Sequence, residues 1–280
     1  MSADGYANPQ LLDTPASLHE RIGPNGPLVI DLRPAEDFAR GALPGAVHLD
    51  LFGVSLVDTD PAPMKAFLWL IEHLLATRGV AADRPVVVYD ESSGNRAARA
   101  LWFLELFGHP DAKILDGGSG AWTAAGLPLS REFAAPVPTD WHGTLHEEIL
   151  ATWRDVQGRL GQDGVAIVDT RSAGEHCGTT VRAARGGTIP GSIHLEWKQN
   201  LDAAGCFKPA AELRAMYAAA GVTPERDVVT YCQGGYRGAH SYVALRLLGF
   251  PQVRNYLGSW KEWGDRLDLP LEVPALPPRT

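Results

Sequence analysis

Residues 228–250 read "VVTYCQGGYRGAHSYVALRLLGF", and residues 86–107 read "VVVYDESSGNRAARALWFLELF". Both stretches follow one plan. A β-branched apolar run of strand length comes first, then a short polar loop, then an apolar segment with a helical period. In the stretch 228–250 Ala239, Val243 and Leu247 recur every fourth residue on one face, and Gly249 closes the helix. Unbroken runs such as "PVVVYD" and "DVVTYC" belong to strands buried on both faces, as in a parallel sheet. The first residue of the loop is Cys232 in one stretch and Asp90 in the other.

The likeness extends along the chain. "LVIDLRPAEDFARGALPGAVHLDLF" (28–52) pairs with "AIVDTRSAGEHC…GGTIPGSIHLEW" (166–197), so that Asp31 and Arg33 match Asp169 and Arg171. "KILDGGSGAWTAAGLPL" pairs with "RNYLGSWKEWGDRLDLPL", with Trp122 opposite Trp263. The 280 residues are therefore read as one unit present twice. Strands alternate with helices in each copy, which predicts an α/β fold with mostly parallel sheets flanked by helices. The expected domains span 8–130 and 149–275. The segment 131–148 holds two prolines and no periodicity, and is expected to link them over the surface. Between Asp169 and Pro190 the second copy carries an insertion including "TTVRAARGG", which predicts a surface loop bearing Arg182 and Arg185.

The net charge of −8 disfavours nucleic acid and anionic membranes as partners. The longest apolar stretch, "FLWLIEHLLA", is interrupted by Glu72 and His73 and is expected to be a buried helix rather than a span. No basic start followed by an apolar run opens the chain, so no secretory leader is expected. Three widely spaced cysteines, Cys177, Cys206 and Cys232, suit a reducing cytoplasm better than a disulfide framework. Metal-ligand spacing is lacking, so no metal site is expected. His142 and His146 are expected to be solvated surface residues.

Cys232 stands where a buried strand ends and a helix begins, the edge at which open α/β sheets collect ligands. Gly234 and Gly235 let the backbone N–H groups of the loop turn toward one point, and the following helix adds the positive end of its dipole. A thiol placed there has a depressed pKa and reacts as thiolate. A buried inert cysteine accounts for Cys177 and Cys206, but gives no reason for a Gly-Gly cradle at Cys232 with an arginine five residues on.

With these motifs in view, the chain apart from its ends resembles the tandem-domain rhodaneses, the thiosulfate and 3-mercaptopyruvate sulfurtransferases. "DLRPAEDFARGALPGAVHL", "DTRSAGEH…GGTIPGSIHL", "CQGGYR", "LDGGSGAW" and "YLGSWKEW" carry the resemblance. It implies two rhodanese-like domains, of which only the C-terminal one is catalytic, the N-terminal one having lost its cysteine. It also implies a persulfide on Cys232 that passes sulfur from a donor to cyanide or a thiol, or to a thioredoxin-like or other protein acceptor, with no metal or organic cofactor. The N–H groups from Gln233 through Gly234, Gly235, Tyr236 and Arg237 to Gly238 are expected to surround the terminal sulfur.

The same fold serves phosphatases and arsenate reductases whose loop is Cys, five residues, Arg. Four residues separate Cys232 from Arg237 here, a shorter cradle that favours sulfur over a tetrahedral oxyanion. Arg237 is the expected binder of the anionic donor, with Arg182 and Arg185 as possible helpers. Tyr236 is expected at the pocket mouth, the Asp169–Arg171 pair is expected to be structural, and Trp197, Trp260 and Trp263 are assigned to the core. The mercaptopyruvate branch has Cys-Gly-Ser-Gly-Val-Thr in the loop, and tandem members carry an arginine where Glu175 stands here, so thiosulfate is the preferred donor. A mercaptopyruvate sulfurtransferase and a persulfide carrier with little small-molecule turnover are the alternatives. The loop "DESSGNR" is one residue longer than "CQGGYR" and has one glycine instead of two. Its N–H groups need not converge, although a carboxylate such as Asp90 in a ring of N–H groups would be satisfied and could not carry sulfur.

Overall fold

The computed structural model describes residues 5–275. The first half forms a five-stranded parallel sheet from β1 (Leu12–Asp13), β2 (Leu28–Asp31), β3 (Val47–His48), β4 (Val86–Tyr89) and β5 (Ala112–Leu115), in the order β1-β5-β4-β2-β3. Its helices are α1 (Pro15–Arg21), α2 (Ala35–Arg40), α3 (Pro61–Ala76), α4 (Asn95–Leu106) and α5 (Gly118–Ala124). The second half repeats the sheet with β6 (Leu150–Ala151), β7 (Val165–Asp169), β8 (Ile193–His194), β9 (Asp227–Tyr231) and β10 (Val253–Tyr256), in the order β6-β10-β9-β7-β8. Its helices are α6 (Trp153–Arg159), α7 (Ala173–His176), α8 (Ala210–Ala219), α9 (Tyr236–Leu247) and α10 (Ser259–Asp265). Both sheets are parallel throughout, and Asp31 pairs with Tyr89 as Asp169 pairs with Tyr231. Parallel neighbours need crossovers, and the helices supply them.

The two opening stretches become β4–loop–α4 and β9–loop–α9. All four residues of β4 are buried, as are the last four of β9. The fourfold period in α9 predicts one apolar face, yet Gly238 to Leu245 are all buried. The reason lies between the halves. α4 and α9 pack against each other, and one apolar cluster runs from Val86, Val88, Leu101 and Phe103 of the first half to Ala239, Val243 and Leu247 of the second. Smaller clusters lie on the outer side of each sheet, under Trp122 in the first half and under Trp260 and Trp263 in the second.

α3 is less buried than its composition predicts. Phe67, Leu68, Ile71 and Leu75 face the core, while Trp69 is 62% exposed. The segment 131–146 has no helix or strand, but it is pinned to the first half: Trp141 packs on Phe107 and His109, and the Thr139 N–H donates to Ala76 O at 3.0 Å. No described helix is long and apolar enough to cross a membrane. The described residues contain no group of three or more His, Cys, Asp or Glu that could hold a metal ion.

Candidate active site

β9 delivers Cys232 to the carboxyl edge of its sheet, where it is 1% exposed. Gly235 then takes φ +81°, a left-handed turn that ends the loop and starts α9. A Cβ at Gly235 would lie 2.9 Å from Leu257 O, so the turn needs glycine twice over. Burial raises the Cys232 pKa, but the charge of Arg237 and the backbone N–H groups of Gly238, Gly234 and Arg237 outweigh it, and the net shift is downward from 9.0. By contrast, burial and the neighbouring Asp116 and Asp202 push the Cys206 thiol up to about 12.

Ser259 completes the cradle from below. Its Oγ accepts from the N–H of Cys232 at 3.1 Å and of Gly235 at 3.0 Å, and donates to Tyr256 O at 2.8 Å. It does so at φ +53°, the only positive φ outside glycine among the described residues. The equivalent residue of the first copy is Gly118, at φ +55°. That conformation costs an L-residue about 1–2 kcal/mol, which the hydroxyl's two acceptor bonds offset. The next N–H groups, of Trp260 and Lys261, donate to Cys232 O and Gln233 O.

In the first copy's loop the carboxylate is satisfied by a ring of N–H groups. The N–H groups of Ser92, Gly94, Arg96 and Ala97 all reach the Asp90 carboxylate, at 3.0–3.1 Å. Its N–H groups do converge, and the converging point is a carboxylate the loop itself provides. The extra residue widens the ring enough to hold two oxygens.

Arg237 is held by an ion pair. Both its terminal nitrogens bond Glu175, at 2.6 and 2.8 Å, in a fork-to-fork pair. Burial would raise the Glu175 pKa, but Arg237 and Ser172 hold it down at about 2. The guanidinium gives two of its five N–H groups to Glu175, and it acts on Cys232 through its charge and a side-chain hydrogen bond. Glu175 itself closes a capping box at the start of α7. Arg185 lies outside the site altogether. Its guanidinium bonds the carbonyls of Trp263, Gly264, Arg266 and Leu269, and so ties down the end of α10. Arg182 stays at the rim: its side chain is 60% exposed, 3.7 Å from Glu175, and its carbonyl accepts from Gln233 Nε2 at 2.8 Å.

Tyr236 is an anchor between the halves. Its hydroxyl donates to Leu51 O at 2.5 Å, Phe52 meets its ring edge-on at 5.7 Å, and a Cβ on the nearby Gly234 would lie 3.5 Å from Ser55 Oγ. The first copy thus roofs the cysteine loop with residues 51–55. Asp169 is bonded by Arg171, His176, Thr188 and Tyr231, and the first copy repeats the pattern with Asp31, Arg33 and Tyr89, as a structural pair should. Trp260 and Trp263 are core residues, whereas Trp197 is half-buried with its edge on His240. His142 is surface-exposed as expected. A groove of about 610 Å³ lined by Met64, Leu68, Trp69, Phe107 and Leu150 does not include Cys232.

Sequence reasoning missed Ser259 and Arg99, a buried cation on α4 that stacks on Tyr236. A signal exists for each: both stand where the two copies differ, Ser259 against Gly118 and Arg99 against His240.

A low-pKa cysteine in a ring of N–H groups at the end of a parallel strand defines a thiolate-dependent group-transfer centre. The family model "Rhodanese-like domain" matches residues 14–125 and 152–266, and the chain belongs to the rhodanese family. It is 36% identical over 272 residues to the "Thiosulfate sulfurtransferase" of Pseudomonas aeruginosa, covering 96% of this chain and 99% of that one. The "Thiosulfate sulfurtransferase" of Azotobacter vinelandii is 35% identical, over 96% of this chain and 100% of its own. The "Sulfur carrier protein TtuD" of Thermus thermophilus is 33% identical, over 95% and 98%. Among solved structures, the ergothioneine biosynthesis enzyme of Chlorobium limicola superposes with a TM-score of 0.85, covering 97% of this chain and 72% of that one. At 20% identity that likeness speaks for the fold alone.

Proposed function

We propose that this protein is a thiosulfate sulfurtransferase that works through a persulfide on Cys232. The Cys232 thiolate attacks the sulfane sulfur of thiosulfate. The S–S bond of the donor breaks and sulfite leaves with the electron pair. The terminal sulfur of the persulfide is anionic, and the loop N–H groups that act on Cys232, those of Gly234, Arg237 and Gly238, stabilise it, the Gly235 N–H being held by Ser259. A thiolate or cyanide then attacks that sulfur and releases the Cys232 thiolate. Arg237 lowers the thiol pKa, and Arg182, whose guanidinium has only a long contact to Glu175, meets the donor's sulfonate oxygens at the rim.

The observation that carries this reading is the contrast between two equivalent loops. The Asp90 loop fills its ring of N–H groups with its own carboxylate, while the Cys232 loop turns the same kind of ring on a thiol of lowered pKa. The relatives named thiosulfate sulfurtransferase support the donor. So does the absence of an arginine at position 175, where Glu175 stands and is already paired with Arg237. The three cysteines are free, in keeping with a reducing cytoplasm, where we place the protein.

Mixing the protein with thiosulfate and cyanide should release sulfite over many turnovers, and the isolated intermediate should gain the mass of one sulfur atom on Cys232. Cys232→Ala should abolish both, while Cys177→Ala and Cys206→Ala keep most of the activity. Transfer surviving in Cys232→Ala would refute the assignment. The relative named as a sulfur carrier motivates a second reading, transfer to a protein thiol. A persulfide that forms once but turns over only with a thioredoxin-like acceptor would favour it.

A further inference from the structure

Arg99 lies in the middle of α4, in the copy that has no cysteine, and it is fully buried. Its Cζ sits 3.9 Å from the centroid of the Tyr236 ring. Nη1 makes one long contact, 3.5 Å to Leu51 O. Nε and Nη2 have no hydrogen-bond partner, and no carboxylate among the described residues pairs with it. A buried guanidinium in that state is costly to hold. Burial draws its pKa down to about 10, which leaves it charged at neutral pH, and electrostatic interaction with Tyr236 and Cys232 acts against that lowering.

The other copy shows what the position does when no cation is wanted. The equivalent residue on α9 is His240, equally buried. Burial lowers its pKa to about 4, so the ring is neutral, and its Nε2–H donates to Ser93 O at 2.8 Å, in the Asp90 loop of the opposite half. Each central helix therefore presents one polar side chain to the loop of the other copy. The loop that already holds a carboxylate, satisfied by four N–H groups, receives a neutral donor. The loop that holds the thiol receives a cation.

We propose that Arg99 is a positioning residue for sulfur transfer: through it, the half without a nucleophile supplies a buried positive charge that clamps Tyr236 by a cation–π contact and stabilises the anionic sulfur on Cys232. This rests on the persulfide reading above. It also gives the inactive copy a task beyond roofing the site, and explains why an unpaired guanidinium is kept in the interface.

The test compares Arg99→Met, which keeps bulk and removes charge, with Arg99→Lys, which keeps charge. The midpoint of Cys232 alkylation against pH is followed at the Cys232 peptide, together with sulfite release from thiosulfate in a single turnover. Arg99→Met should raise the midpoint by about one pH unit and slow the sulfite burst about tenfold at neutral pH. Arg99→Lys should restore most of the midpoint. An unchanged midpoint in folded Arg99→Met reduces Arg99 to packing and overturns the proposal. If Arg99→Met does not fold, Arg99→Gln carries the same readout. The alkylation midpoint needs no donor, so a wild-type protein that ignores thiosulfate would defeat the donor assignment while this comparison still decides the role of Arg99.

Discussion

At the scale of single residues, the placement of Arg237 changes what its loss should do. It pairs with Glu175 through two of its N–H groups and acts directly on Cys232, so Arg237→Ala should act first on the thiol. The Cys232 alkylation midpoint should rise by about one unit, and kcat/KM for thiosulfate should fall about tenfold at neutral pH, through kcat. The same change strands a largely buried carboxylate, at a cost of about 3 kcal/mol in urea denaturation. The pH dependence of that loss has a definite sign. Glu175 titrates near 2 in the folded protein against 4.5 unfolded, so the pair's contribution is fully present above about 4.5 and disappears as the pH falls toward 2. Arg237→Ala should flatten the stability profile across that window, and a wild-type slope there would contradict the pairing. Arg182 is the counterpart: exposed and loosely held, it should affect the encounter. Arg182→Ala is expected to raise KM for thiosulfate about threefold to tenfold with kcat unchanged, an effect that shrinks as salt is added. A KM insensitive to both the substitution and salt would remove Arg182 from the site.

At the scale of elements, one strand–loop–helix unit appears with two fillings. In the second copy the ring of N–H groups is finished by Ser259 and left open for sulfur. In the first, one more residue in the loop lets Asp90 accept four N–H groups, partly from the first turn of α4, where a negative charge also meets the helix dipole. Asp90 is therefore a structural ligand of its own loop. Asp90→Ala would strand those donors in a buried setting and should lower stability by about 2–4 kcal/mol, measured as a drop in the denaturation midpoint. Asp90→Asn should cost less, because one amide oxygen still accepts. A neutral Asp90→Ala would mean that water replaces the carboxylate without penalty. The loop contrast also bears on length. "CQGGYR" and "DESSGNR" differ by one residue, and the difference separates a ring that surrounds one atom from a ring that surrounds a two-oxygen group.

At the scale of the whole molecule, the two copies share a core. α4 and α9 are buried on nearly every side because each packs on its own sheet and on the other helix, and the apolar cluster between them is continuous. That cluster joins the two sheets across the proposed division into 8–130, a linker 131–148 and 149–275. Residues 149–275 made alone should expose the outer faces of Ala239, Val243 and Leu247 and lose the cover of 51–55 over Tyr236. That fragment is expected to aggregate or to show less than a tenth of the intact protein's activity. Mixing it with residues 8–148 should restore part. A stable, fully active fragment would show that the shared core is dispensable.

The strand runs, the loop lengths, the duplication and the place of Cys232 at a strand-to-helix turn were legible in the sequence, because each is a local pattern: β-branched density, glycine placement and helical period act over a few residues. The parallel α/β class follows from their alternation. What the partners of each charge would be was not legible. Arg237 stands at the end of the Cys232 loop in the sequence, and only the folding of α7 beside it brings Glu175 within 2.6 Å and makes it half of an ion pair. Arg185 sits in an inserted loop in either reading, and only the end of α10 supplies the four carbonyls that hold it. Asp90 was recognisable as the residue that replaced a cysteine, but the convergence of four N–H groups on it depends on backbone directions that loop composition does not dictate. Arg99 was one more arginine on a helix until α9 came to lie against α4 and put Tyr236 over its guanidinium. Long-range pairing is decided by which faces must leave water together, and that is settled by the packing of the two halves rather than by any stretch of either.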